Sequence, residues 1–146
     1  MKEYLYRGKR KDNGEWIYGR LLYDDVIVPL NQEFEIKGNT IYGCDLKAYI
    51  VIPKTVGQYI QLRDKNNHKI FEGDIVKQYI TYHATNEDQF KTRIGYIAFL
   101  QQECGFSLIL SNSDVRIGHR NTGSDYAVDI NMEIIGNIYE NPELMR

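Results

Sequence analysis

Apolar and polar residues alternate along most of this chain with a period of two, the spacing of a strand that buries one face and wets the other. The clearest run lies near the C-terminal end, where Tyr126, Val128, Ile130, Met132 and Ile134 alternate with Asp125, Ala127, Asp129, Asn131 and Glu133. Ile135 breaks the alternation, so Gly136 marks a bulge or kink in the strand. The apolar pattern resumes at Ile138 and Tyr139, and Asn141-Pro142 then prevents further pairing.

Upstream, the same pattern is cut by turn formers about every ten residues. Residues 5–11 and 15–23 flank Asp12-Asn13-Gly14, a hairpin signal in which Gly14 takes the left-handed position of a three-residue loop or Asn13-Gly14 forms a two-residue turn. Both registers are open at this level. Residues 26–29, 40–42 and 49–52 read as short strands, with a polar stretch at 31–39. Pro53-Lys54-Thr55 then marks a boundary between an N-terminal β subdomain, residues 1–54, and a second domain, residues 55–146. Residues 75–82 and 91–100 pair as strands across a long loop at 83–89, Phe106, Leu108 and Leu110 form another strand, and residues 115–117 a short one before a loop at 118–125. No segment carries a helical stripe, so the fold class is all-β.

A second informative segment runs from Gln58 to Val76. A two-residue loop at Asn66-Asn67 pairs Asp64 with Lys69 and Leu62 with Phe71, whereas a loop one residue longer sets Arg63 against Lys69. The shorter hairpin is favoured here, because Asn tolerates the left-handed conformation that its turn demands. Glu72-Gly73-Asp74 is then a second turn into the strand that starts at Ile75.

These stretches carry a family resemblance. Gln58-Tyr59, Leu62 to Asn66, Glu72-Gly73-Asp74-Ile75-Val76 and the ending Ile135-Gly136-Asn137-Ile138-Tyr139-Glu140-Asn141-Pro142-Glu143-Leu144 are similar to the pattern of the YopX family. Ile60-Gln61 stands where the family has Thr-Gly, and Asn67 where it has the turn Gly, both of which stiffen the hairpin. Tyr6-Arg7-Gly8-Lys9 and Trp16 look like a variant of the family's N-terminal segment. The resemblance implies an SH3-like β-barrel over residues 55–146 and a source in phages or prophages of Gram-positive bacteria. It supplies no activity that can be carried onto residues.

Composition adjusts the picture mainly by exclusion. A net charge of -2 and a pI near 5.9 argue against wholesale coating of nucleic acid or an anionic membrane. No apolar run approaches the roughly 20 residues that span a bilayer, and the first residues do not lead into a signal-peptide core, so the expected location is the cytoplasm of a bacterial cell. In that reducing compartment Cys44 and Cys104 are expected as thiols.

Candidate chemistry is sparse. Gly118 to Ser124 has phosphate-loop glycine spacing but lacks the Lys, and a strand follows it where a helix is required. Asp125, Asp129 and Glu133 would share a helix face, yet the period of two places them on the wet face of a strand. His68, His83 and His119 stand at no zinc spacing, and the paired carboxylates Asp24-Asp25 and Asp64 with Asp74 have no accompanying base or nucleophile. The serines lack a nucleophile-elbow setting. The expectation is therefore no catalytic residue, no metal site and no cofactor.

One patch invites binding. Lys2, Arg7, Lys9, Arg10, Lys11 and Arg20 are interleaved with Tyr4, Tyr6, Trp16 and Tyr18, and the candidate binding residues are Arg7, Lys9, Lys11, Trp16, Tyr18 and Arg20. Basic groups beside exposed aromatics hold phosphates and stack bases, while the competing reading is an edge strand that carries Lys and Arg against aggregation and packs its aromatics inward. The function expected is that of a non-enzymatic phage or prophage accessory protein acting by contact with a host or phage protein or as a homo-oligomer. The alternative is a nucleic-acid-binding module built on the N-terminal hairpin.

Overall fold

The structure is a computed structural model that describes residues 2–84, 87–111, 114–116 and 132–145. It is all-β, built from antiparallel sheets with a few 3₁₀ turns. Two compact units divide the chain, Met1–Tyr59 and Ile60–Arg146.

In the first unit β1 (Tyr6–Lys9) pairs with β2 (Trp16–Tyr23), β2 with β3 (Val26–Val28), and β1 on its other side with the start of β6 (Gly57–Arg63). Alternation sends Ile17 and Leu21 inward, where they meet Tyr6, Ile27, Val51, Tyr49 and Val56 in the core. Gly19 is obligatory on that face, since a Cβ there would lie 1.9 Å from the Val28 carbonyl oxygen. The β1–β2 loop is neither of the two registers expected. Lys9 faces Trp16 and the Arg10 amide bonds the Glu15 carbonyl, which leaves four loop residues, with Gly14 left-handed at φ 74° and its amide on the Arg10 carbonyl.

Two other expectations are corrected in this unit. The polar stretch contains a strand, β4 (Glu35–Lys37), which pairs with β5 (Thr40–Tyr42) across Gly38-Asn39, because Gly38 at φ 62° supplies the tight turn. Residues 49–52 are not a strand of their own. Leu46–Tyr49 is a 3₁₀ helix capped by the Asp45 carboxylate, and Ile50 and Val51 make single bridges to Val26 and Arg10.

In the second unit β8 (Asp74–Ala84), β9 (Glu87–Leu100), β10 (Gly105–Ile109) and β11 (Asp114–Arg116) form a meander, and β12 (Met132–Asn137) adds to the free side of β8. Ile60 and Ile70, from β6 and β7 (Lys69–Phe71), share one core with Val76, Ile97, Leu108 and Met132. Among the described residues these strands close no barrel. The loop expected at 83–89 is largely ladder, with His83 opposite Asp88 and Ala84 opposite Glu87, since no Gly or Pro interrupts pairing there. Residues 85 and 86 lie outside the described residues, as do 117–131, which include the predicted loop at 118–125, Asp125, Asp129, His119 and the start of the predicted strand from Tyr126.

The hairpin register also differs from the one favoured above. The Asp64 amide bonds the His68 carbonyl and the Asn67 amide bonds the Asp64 carbonyl, so the loop is Lys65-Asn66-Asn67 with Asn67 left-handed at φ 68°. This is the longer alternative, a turn followed by a bulge residue. Leu62 packs on the core that holds Ile70, and Phe71 is buried at 3 % exposure without being the partner of Leu62.

The kink at Gly136 is present as a register shift between Ile134 and Gly136 against β8. The strand stops at Asn137, before Ile138 and Tyr139, because side chains take over the pairing. Asn137 Oδ1 accepts from the Tyr139 and Glu140 amides, and Asn141 Oδ1 accepts from the Asn137 amide. The Ile138 amide donates to the Gly73 carbonyl. Gly73 has a φ of 89°, and a Cβ on it would lie 2.9 Å from the Tyr139 ring, so any larger residue is strained there.

Candidate functional site

Strand alternation sorts the N-terminal patch into two faces. Tyr6 points into the core, while Arg7, Lys9, Trp16, Tyr18 and Arg20 share the outer face, with Arg7 opposite Tyr18 and Lys9 opposite Trp16. The Arg7 guanidinium lies 4.8 Å above the Trp16 ring centroid and the Lys9 ammonium 5.9 Å from it, so the half-buried indole is the platform for both cations. Arg7 is only 6 % exposed, whereas Tyr18 is 47 % exposed. Lys11 sits on the exposed loop. Its neighbour Arg10 is held by both carboxylate oxygens of Asp12, at 3.0 and 2.7 Å, and that side-chain bond lowers the Asp12 pKa.

Arg20 is drawn elsewhere. Its guanidinium stacks 5.1 Å from the Phe34 ring on the wall of an open cleft of about 660 Å³, whose other walls include Leu30, Gln32 and Tyr42. Gln32 fastens the base of this cleft: its amide nitrogen donates to the Glu33 and Gly43 carbonyls, and its oxygen accepts from the Tyr49 hydroxyl at 2.9 Å. The structure thus gathers Arg7, Lys9 and Trp16 into one stack, leaves Tyr18 and Lys11 exposed, and assigns Arg20 to the cleft. Sequence reading passed over Leu30, Phe34 and Tyr42 as site residues, although Phe34-Glu35-Ile36 alternation before Gly38-Asn39 is a hairpin signal that points to them.

Asp64 and Asp74 of the second unit are occupied in holding its backbone. Asp64, whose side chain is 0 % exposed, accepts from the Asn66 and His68 amides through Oδ1 and from the Ile134 amide, at 3.1 Å, through Oδ2. Desolvation pushes its pKa up, but the His68, Ile134 and Asn66 amide donors and the nearby imidazole outweigh it, and the net shift is downward. Asp74 Oδ2 accepts from the Phe71 amide and closes the Glu72-Gly73 turn. Glu133 accepts from the Tyr79 hydroxyl at 2.9 Å and lies 3.4 Å from the Lys65 ammonium, and these two partners, the hydroxyl first, lower its pKa. Asp64 and Asp74 are therefore turn-closing groups bound to separate amides. Among the described residues no three His, Cys, Asp or Glu side chains converge as metal ligands, both cysteines are free, and no helix is long and apolar enough to cross a membrane.

The fold and this site define a small all-β protein of two antiparallel units, with an aromatic and basic outer face on its N-terminal hairpin. The family model described as YopX protein matches residues 5–146, and the chain belongs to the YopX family. The chain is also similar to the crystal structure of protein EF1440 from Enterococcus faecalis, with a TM-score of 0.50 and 23 % identity over 99 % of each chain, a likeness of fold alone. No curated protein matches it significantly.

Proposed function

We propose that this chain is a phage- or prophage-encoded accessory protein of the bacterial cytoplasm that acts by protein contact and without catalysis. The observation that carries this reading is the exposure of large apolar side chains in the first unit, with Leu30 at 59 %, Ile36 at 60 % and Tyr42 at 52 % around one cleft and ribbon. Apolar side chains gathered in this way are the ordinary mark of a contact surface. The first unit also carries nine Lys and Arg against eight Asp and Glu, which supplies no general field for a polyanion. The second unit is read as an SH3-like barrel, a reading supported by the core that the β6–β7 hairpin shares with the sheet.

The test is affinity capture from a Gram-positive host extract, with the native chain beside a variant carrying Leu30→Ser and Tyr42→Ser. A stoichiometric protein partner that survives nuclease and is lost with the variant supports the reading. The second reading, nucleic-acid binding, is favoured by the half-buried Lys9 and the exposed Lys11, Tyr18 and Arg20 on or beside one face. Affinity for a random single-stranded oligonucleotide that falls steeply with salt, and vanishes with Lys9→Glu, Lys11→Glu and Arg20→Glu together, would select it instead.

A further inference from the structure

Strands β4 and β5 form a ribbon that pairs with no other strand among the described residues. A two-stranded ribbon alone is marginally stable in water, and its edges are templates for another chain. Natural edges are usually blunted by Pro, bulges or uncompensated charge. This ribbon has no Pro and no register shift, and Glu35, Ile36 and Lys37 are all exposed.

The geometry of the turn decides which groups of β4 are open. In a hairpin with a two-residue loop the flanking pair, here Lys37 and Thr40, exchanges both backbone bonds, and the next exchanging pair is Glu35 and Tyr42. Ile36 therefore directs its N–H and C=O away from β5. The side chains follow the pleat: Glu35 and Lys37 lie on one face, 3.5 Å apart as an exposed ion pair, and Ile36 lies on the other with Ile41.

The sequence of β4 is self-complementary under a two-fold axis. Laid antiparallel on a second copy with Ile36 opposite Ile36, each Glu35 faces a Lys37 and each Lys37 a Glu35, while the two Ile36 amides and carbonyls bond each other. The β5 edge, Thr40-Ile41-Tyr42, offers no charge pairing under the same operation. We propose that β4 is a self-association edge through which two copies of this chain form a four-stranded antiparallel sheet, with Ile36 and Ile41 of both copies as one apolar stripe. This proposal rests on the protein-contact reading and names its partner as a second copy.

Sedimentation velocity over a wide concentration range tests it. The native chain is expected to dimerise reversibly. Ile36→Pro removes an outward N–H that β5 does not use, and it should abolish the dimer while the circular dichroism spectrum is retained. Glu35→Lys and Lys37→Glu each place like charges opposite one another twice, and each alone should weaken the dimer about tenfold or more. Mixed in equal amounts, the two variants restore both ion pairs and should form a heterodimer of near-native affinity. A native chain that stays monomeric, a dimer indifferent to Ile36→Pro, or a mixture no tighter than its components overturns the proposal. A monomeric result leaves the contact reading to be judged by the host-extract capture, which does not depend on β4.

Discussion

Asp64 offers the most quantitative test of how the second unit is held together. Its carboxylate is fully buried and accepts three backbone amides, two from its own loop and one from Ile134, which is 70 residues away in sequence. Asp64→Ala removes both acceptor oxygens and with them all three bonds. Asn66 and His68 are exposed and can exchange their lost bonds for water, so together they account for about 1 kcal/mol. The part-buried Ile134 amide has no such substitute at hand, and its loss adds about 2 kcal/mol. The expected total is about 3 kcal/mol in urea unfolding at neutral pH. Asp64→Asn keeps one acceptor oxygen but turns an amide nitrogen toward one of the donors, and should cost about 2 kcal/mol.

The pH dependence follows from the direction of the shift. The folded-state pKa of Asp64 lies below its ordinary value of 3.8, so the unfolded chain binds the proton more readily. The carboxylate's contribution is complete above that ordinary value and is lost as pH falls through it toward the folded-state pKa. The stability gap between native protein and Asp64→Asn should therefore be full at neutral pH and shrink on acidification below about 4. A loss under about 1 kcal/mol for Asp64→Ala, or a gap that does not narrow in acid, would refute the claim that an ionised Asp64 pins the hairpin to β12.

Three further outcomes are expected. Asn67→Gly relieves a left-handed residue at φ 68° and should be neutral or stabilising by a few tenths of a kcal/mol in urea, with added chain entropy offsetting part of the gain. Phe71→Ala truncates a ring that is 3 % exposed and should cost about 3 kcal/mol or more, as measured by the same unfolding titration. Gly73→Ala strains a φ of 89° and meets the Tyr139 ring, so its cost, about 2 kcal/mol, should fall when Tyr139 is also Ala in a double-mutant cycle.

The strand content was legible because alternation depends only on neighbours in sequence. Ile17, Ile27, Leu108 and Met132 sit in cores as their period of two requires. The kink at Gly136 was legible for the same reason, since Ile135 interrupts the pattern locally. Hairpin registers were harder. The two-residue and three-residue loops around Asn66-Asn67 differ by one position, and the longer one is closed partly by Asp64 Oδ1, on a carboxylate whose Oδ2 is bonded to β12. The β4–β5 ribbon was only half visible, because Glu35 and Lys37 made residues 31–39 look like loop when they are the exposed rungs of a strand.

The candidate patch divides along the same line. The sequence by itself put Arg7 with Lys9, and Trp16 with Tyr18 and Arg20, each on one side of its own strand, because residues two apart on a strand point the same way, and the hairpin register of the structure joined the two sets on one face. It also determined the all-β class and the family, whose motifs are local strings. Only the tertiary structure decided that Arg7 is buried over Trp16, that Arg20 turns to Phe34, and that the turn at Gly73 is locked to Tyr139. Each of these pairs joins segments that alternation treats independently, and the choice among their possible neighbours is made by packing and by the need to satisfy buried amides.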